Sequence, residues 1–255
     1  MPSRICHAVF ILMVVLLSVA GTPIGAFAGL ITKAGPTGMF LNPQAEISPP
    51  KTINAQTCWV RQELPEGIMH VNILMVAYTL PSATELGLLG DLVTPQGGST
   101  ETAIGGFLRQ LVWPEAQWLP ITPAFAVGVT AFHNEINIRG FDVRATAFAV
   151  LSKTLTPPEF RLPVRAHLGG RFIDYAHPTE TRVVTGYVGL EAALLPNLRL
   201  VGEVNTQTQI DTTTPFAVGL QYSLGKLGLS AAAINSGRAN APGLFFGIGF
   251  PFTTE

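Results

Sequence analysis

Charge is scarce in this chain. Of its 255 residues, 12% are Asp, Glu, Lys or Arg, about half the ~25% usual in soluble globular domains. A domain kept in solution by its surface charges has more; a chain solvated by lipid has no such need. The two signs nearly cancel to a formal net charge of −1, which removes any bulk attraction for nucleic acid or an acidic surface. Cysteine is scarcer still, with only Cys6 and Cys58. Cys6 falls in an N-terminal processing segment, so Cys58 is left alone and the mature chain has no internal disulfide. It reads as a small packing residue on a strand. Beyond residue 29 no stretch is apolar for the ~20 residues that a transmembrane helix needs.

Catalytic and metal-binding signatures are missing too. The sequence has no Gly-x-Ser-x-Gly elbow, no Walker-type phosphate loop and no His-Glu-x-x-His. His133 and Glu135 are the one close histidine–carboxylate pair, short of the three or four ligands of a usual metal site. No serine is forced beside His70, His167 or His177. No enzyme, metal or cofactor is expected.

What the chain does have is hydrophobic residues, 47%, together with 26 glycines and 20 prolines. So many turn formers favour short strands over long helices. The N-terminus reads as a signal peptide over residues 1–28. Arg4 and His7 precede the apolar run Val9–Ala20, helix breakers Gly21, Pro23 and Gly25 follow, and Ala26-Phe27-Ala28 forms a small-x-small cleavage site. A single transmembrane anchor needs a longer run.

Residues 52–255 divide into twelve strand-like runs of about the length that a tilted membrane strand needs, ~9–11 residues. They fall near 52–62, 67–80, 84–94, 102–113, 123–133, 138–151, 164–174, 183–195, 198–208, 215–224, 227–235 and 243–252. Side chains alternate between the two faces of a strand, and the charges keep to one parity. Asp142, Arg144, Arg165, His167, Arg171, Glu191, Glu203 and Gln221 form one row across consecutive strands. A charge in mid-bilayer on the lipid face costs roughly 2–4 kcal/mol, so this row is expected to line a lumen. Arginines and carboxylates on neighbouring strands are placed to pair across them. The last strand puts Leu244, Phe246, Ile248, Phe250 and Phe252 on one side and Phe245, Gly247, Gly249 and Pro251 on the other. It has almost no polar face, which suits a closing strand with its large residues toward lipid. Trp59, Tyr78, Trp113, Trp118, Tyr175 and Tyr222 lie near strand ends or loop mouths, where an aromatic girdle forms. The expected fold is all-β: an antiparallel transmembrane β-barrel of about 12 strands.

Ahead of the first strand, residues 29–51 form an N-terminal segment. In it Gly35-Pro36-Thr37-Gly38 leads to Pro43-Gln44-Ala45. Gly35, Gly38, Pro43 and Ala45 resemble the Gly-x-x-Gly and Pro-x-Ala opening of the YjbH-type outer-membrane barrels. That resemblance implies an outer-membrane barrel associated with exopolysaccharide secretion, and it carries no catalytic residues. The chain lacks the lipid-attachment cysteine of that family and is shorter than its multi-part members. Residues 30–50 either plug or clasp the periplasmic end, or form a plain tail.

The expected function is a narrow pore or an accessory barrel for export of envelope solutes or polysaccharide, located in the bacterial outer membrane. Its expected partners are outer-membrane lipid, the barrel-assembly machinery, and a polysaccharide or small solute. Nucleic acid is not among them. Two alternatives stand beside it: a structural barrel with a plugged lumen, and a soluble secreted β-protein that binds an apolar ligand.

Overall fold

A computed structural model describes residues 30–31, 37–134, 136, 142–155, 162–175 and 181–253. The expected signal peptide, Gly35, Glu135, Phe141, His177 and the final Thr254-Glu255 lie outside them. A two-stranded ladder joins β1 (Leu30–Ile31) to β2 (Thr37–Gly38). Twelve strands then close a barrel: β3 (Thr52–Leu64), β4 (Gly67–Thr79), β5 (Thr84–Pro95), β6 (Glu101–Trp113), β7 (Ala124–Asn134), β8 (Val143–Thr154), β9 (Val164–Tyr175), β10 (Thr181–Leu195), β11 (Leu198–Asn205), β12 (Phe216–Leu224), β13 (Leu227–Asn235) and β14 (Ala241–Thr253).

Every neighbouring pair is antiparallel and consecutive in the chain, and β14 closes the ring against β3, with Phe252 opposite Ile53. Closure removes the two open edges that a flat sheet would leave. The strands fall within a few residues of the runs read from the sequence. The largest differences are β8, which begins at Val143 rather than 138, and β11, which ends at Asn205.

Alternation decides what each face meets. Along β3, Thr52, Asn54, Gln56, Cys58, Val60, Gln62 and Leu64 are all buried while the residues between them are not. In β14, Phe245 is buried, and Leu244, Phe246, Ile248, Phe250 and Phe252 are exposed on the outside. The outer surface is an apolar band. Leu88 is 71% exposed, Ile104 69% and Val184 76%. The buried interior, in contrast, holds Glu85, Arg109, His167, Glu191 and Glu203. Those polar groups are set among a buried apolar cluster that includes Phe107, Phe148, Tyr187 and Phe245.

The barrel has two distinguishable ends. Thr52 and Thr253, the ends of the barrel sequence, pair at one of them, here called the terminal end. The two-residue turns Pro196-Asn197 and Gly225-Lys226 lie there, the second with Gly225 at φ +60°, a backbone region open to glycine. Connections 206–215 and 236–240 lie at the opposite, loop end. In the N-terminal half this alternation breaks down. The turn Pro65-Glu66 is short at the loop end, and residues 114–123 make a long connection at the terminal end.

Candidate functional site: a hairpin seated in the lumen

The lumen is occupied by the chain's own N-terminal segment. Gly38 bridges Pro43 around a tight reversal, in which the Met39 N–H donates to the Asn42 carbonyl at 3.0 Å. Met39, Phe40 and Asn42 are completely buried, as are nearly all of Leu41, Gln44 and Ala45. Of the two possibilities open from the sequence, plug and tail, the structure has the plug.

Each part of this hairpin has a seat built from lumenal side chains. Glu203 on β11 accepts the N–H groups of Phe40 and Leu41 on Oε1, at 2.7 and 2.6 Å, and the Asn42 amide on Oε2 at 2.7 Å. Hydrogen bonds to an ionised carboxylate are shorter and about twice as strong as neutral ones. Asn42 also donates to Asn205 Oδ1 at 2.6 Å. Arg171 on β9 donates to the Leu41 carbonyl at 3.2 Å, and the Tyr187 hydroxyl on β10 donates to the Pro43 carbonyl at 2.9 Å. Gln221 on β12 reaches the carbonyls of Gly38 and Met39, both at 3.4 Å. The Phe40 ring meets Phe245 edge to face at 5.4 Å.

A second set of contacts holds the descending arm. Ser152 on β8 accepts the Ala45 N–H at 2.9 Å, and its hydroxyl lies 2.8 Å from His167 Nδ1. With Nδ1 taking that hydroxyl proton, His167 Nε2 carries its hydrogen toward Glu191 Oε1, 3.5 Å away. Glu191 also pairs with Arg199 at 3.2 Å. Four adjacent strands thus form one polar relay that ends on the hairpin backbone. Across the lumen, Arg109 on β6 donates to the Gln44 carbonyl at 3.1 Å and forms a fully buried salt bridge with Glu85 on β5.

Near the terminal end, Arg165 pairs with Glu46 of the hairpin and, at 3.2 Å, with Glu115 of the 114–123 connection. Burial disfavours the Glu115 carboxylate. The Thr154 N–H, Lys153, the Thr154 hydroxyl and Arg165 outweigh it and hold its pKa below 4.5. A depressed carboxyl contributes stability that is complete above its unfolded value and is lost as pH falls through the folded one. This latch is therefore expected to weaken below about pH 4.5. Thermal unfolding between pH 6 and 3 checks this: Glu115→Gln should flatten part of the acid-side loss seen in the native chain, and an identical pH profile would contradict it.

The small residues of the lumenal row make room for these groups. A Cβ at Gly189 would run into the Met39 sulfur, and one at Gly169 would meet the Tyr187 ring. Gly128 and Gly87 stand in the same relation to Phe148 and Phe107. A narrow lumen that holds both aromatic rings and a hairpin has no space for a larger residue there.

The structure places Arg165, His167, Arg171, Glu191, Glu203 and Gln221 on the inner face and brings them together around the hairpin. They line its seat rather than an open passage. Asp142 is fully buried just ahead of β8. Arg144 differs from the expectation. Val143 pairs with Tyr175 and Ala145 with Asp174, so Arg144 is an extra residue in a bulge. A bulge reverses the parity of the strand beyond it. Val143 consequently packs inward against Ile173, Tyr175 and Val183. Arg144 sits on the outer rim, 3.8 Å from Asp174, which also meets Arg182 at 3.3 Å.

Glu85, Arg109 and Ser152 were not singled out from the sequence, and Asn205 was read only as a member of the polar row beside Glu203. Glu85 and Arg109 carry a usable signal: each has the parity opposite to the exposed Leu86, Leu88 and Leu108 of its own strand. Asn205 shares the inward parity of Glu203 and Ser152 that of Thr146, but the role of each comes from its partner in the hairpin. Among the described residues no group of three or more His, Cys, Asp or Glu could hold a metal ion.

The hairpin divides the lumen in two. On the loop side a cavity of about 120 Å³ extends from Leu41 and Arg171 to Thr208, Asp211 and Ser236. On the terminal side a cavity of about 370 Å³ runs from Gln44 and Ser152 to Pro49, Glu115 and Arg199. Between them the hairpin packs with inward side chains such as Phe107, Phe148, Tyr187 and Phe245 in one buried apolar cluster.

No family model matches the chain, and no curated protein matches it. Solved structures do. One is the KdgM porin, with a TM-score of 0.53 and 9% identity over 79% of this chain and 99% of that one. Another is an outer membrane channel from Pseudomonas putida F1, with a TM-score of 0.52 and 14% identity over 83% of this chain and its whole length. At such identities the likeness is one of fold. The chain has the closed, twelve-stranded antiparallel barrel of outer-membrane porins and channels.

Proposed function

We propose that this protein is a bacterial outer-membrane channel for small polar solutes, held closed by its own N-terminal hairpin. The observation that carries this reading is the hairpin itself: residues 38–46 lie between the two vestibules and are tied to the barrel wall by a ring of polar contacts alongside their apolar packing. Hydrogen bonds to a hairpin can be exchanged for water as it leaves. The terminal end faces the periplasm in this reading, and the apolar band lies in the bilayer. The resemblance to YjbH-type barrels extends the proposal to export of an envelope polysaccharide, for which the hairpin must leave the lumen entirely.

A second reading, a permanently plugged structural barrel, is favoured by the number of strands that grip the hairpin. Solute uptake separates the two. Liposomes containing the purified chain should swell slowly in small sugars, and faster once the hairpin is removed; no swelling in either case supports the structural barrel. The membrane assignment has its own test. Leu88 lies in the middle of β5 and is largely exposed. Leu88→Lys is expected to cost roughly 2–4 kcal/mol in bilayer-folded protein, read from urea titration in lipid vesicles. An unchanged midpoint, with recovery of the chain from the soluble periplasm, would favour the soluble β-protein.

A further inference from the structure

The loop-side vestibule has the makings of a ligand site that the plug contacts do not use up. At its floor stands Arg171. One of its terminal nitrogens donates to the Leu41 carbonyl at 3.2 Å. Its Nε meets no acceptor among the described residues and is closed off from the cavity, so the donors a solute can reach are those of the terminal nitrogens of the half-buried guanidinium fork. A solute at the floor of the cavity therefore meets a guanidinium that the hairpin engages through the Leu41 carbonyl. Both Arg171 and Leu41 line the cavity.

The rest of the lining narrows the chemistry. A planar fork of donors matches the two oxygens of a carboxylate. Asp91 and Asp211 line the same cavity, and they disfavour a multiply charged anion such as phosphate by like-charge repulsion. They suit a solute that brings hydrogen-bond donors of its own. Thr146, Thr185 and Asn205 add polar groups on one wall. The volume, about 120 Å³, is below the ~150 Å³ of an engineered cavity that takes benzene. The occupant is therefore a molecule of a few heavy atoms.

We propose that the loop-side vestibule binds a small monocarboxylate bearing an amino or hydroxyl group, through Arg171, and that this solute competes with the Leu41 carbonyl for the guanidinium. Binding then loosens the hairpin from the outside, which gives the channel of the preceding reading a solute-dependent gate. The binding site itself stands on the cavity and Arg171; only the gating step rests on that reading.

Calorimetry on the full chain refolded in detergent, with alanine, lactate, acetate and inorganic phosphate as probes, tests the site. Alanine or lactate should bind, acetate at least several-fold more weakly, and phosphate not at all. Whichever of the first two binds more tightly tells an amino from a hydroxy acid. Arg171→Gln should weaken binding at least tenfold. Arg171 also grips the hairpin, so Thr146→Leu is the companion variant: it fills the cavity and removes no recorded hairpin contact. It too should weaken binding at least tenfold. Absence of binding by all four probes overturns the proposal, as does binding unchanged in both variants. If the chain without its hairpin fails to conduct while alanine or lactate still binds, the channel reading falls and the site remains. If it conducts and neither acid binds, the site falls and the channel remains.

Discussion

Glu203→Leu is expected to release the hairpin from the lumen while the barrel stays closed. The native carboxylate takes three donors at 2.6–2.7 Å: two backbone N–H groups and the Asn42 amide. All belong to fully or almost fully buried residues. Removing the acceptor leaves the two backbone donors unsatisfied, at about 1–3 kcal/mol apiece, while the Asn42 amide keeps Asn205. The sum is several kcal/mol, comparable with the whole stability of many domains. The hairpin has a cheaper course than bearing it, because withdrawal toward the terminal end returns those donors to water. The ladders of β11 with β10 and β12 run through the backbone and do not need the carboxylate. Limited proteolysis should therefore cut within residues 37–50 of the variant, while heat-modifiable gel mobility reports an intact barrel. Glu203→Gln keeps one acceptor oxygen and should fall between. Equal protection of the hairpin in Glu203→Leu and the native chain would contradict the role assigned to Glu203.

Glu85→Leu should destabilise the barrel itself. Glu85 and Arg109 are completely buried on neighbouring strands, and Arg109 also holds the Gln44 carbonyl. Taking away the carboxylate leaves a guanidinium inside without its counter-charge, which typically costs 3–5 kcal/mol. The double replacement Glu85→Leu with Arg109→Leu removes the charge as well. It should recover most of that loss, since exchanging a whole buried pair for apolar residues is often neutral or stabilising. It also removes the hold on Gln44, which Glu85→Leu keeps. The expected pattern is a large fall in the unfolding midpoint for Glu85→Leu, a recovered midpoint for the double variant, and a more protease-sensitive hairpin in the double variant, which alone lacks Arg109. If the double variant is no more stable than the single one, the energetics rest on packing rather than on the buried charge.

The barrel was legible because lipid imposes a severe rule on side chains. With polar residues confined to one parity, Arg165, His167 and Arg171 on one strand and Glu191 on the next could be assigned to one face without coordinates. The closing strand was legible for the same reason, and its five large outward residues are on the outside. Arg144 was misplaced because a bulge shifts parity by one residue, and no turn former marks it. The occupant of the lumen was undecided for a different reason. Glu203, Arg171 and Tyr187 bind backbone N–H and C=O groups, which every residue carries. Nothing in Met39-Phe40-Leu41-Asn42 distinguishes a seated reversal from an ordinary short apolar run. Gly189 and Gly169 look like generic small residues until Met39 and Tyr187 are seen to occupy the space beside them.

The central claim is that residues 38–46 hold the lumen closed. Single-channel recording in planar bilayers tests it most directly, comparing the full chain with a variant that lacks residues 30–47. The account predicts rare, brief openings from the full chain and a steady, larger conductance from the deletion variant, with the same heat-modifiable mobility for both. A folded deletion variant that conducts no better than the full chain would contradict it.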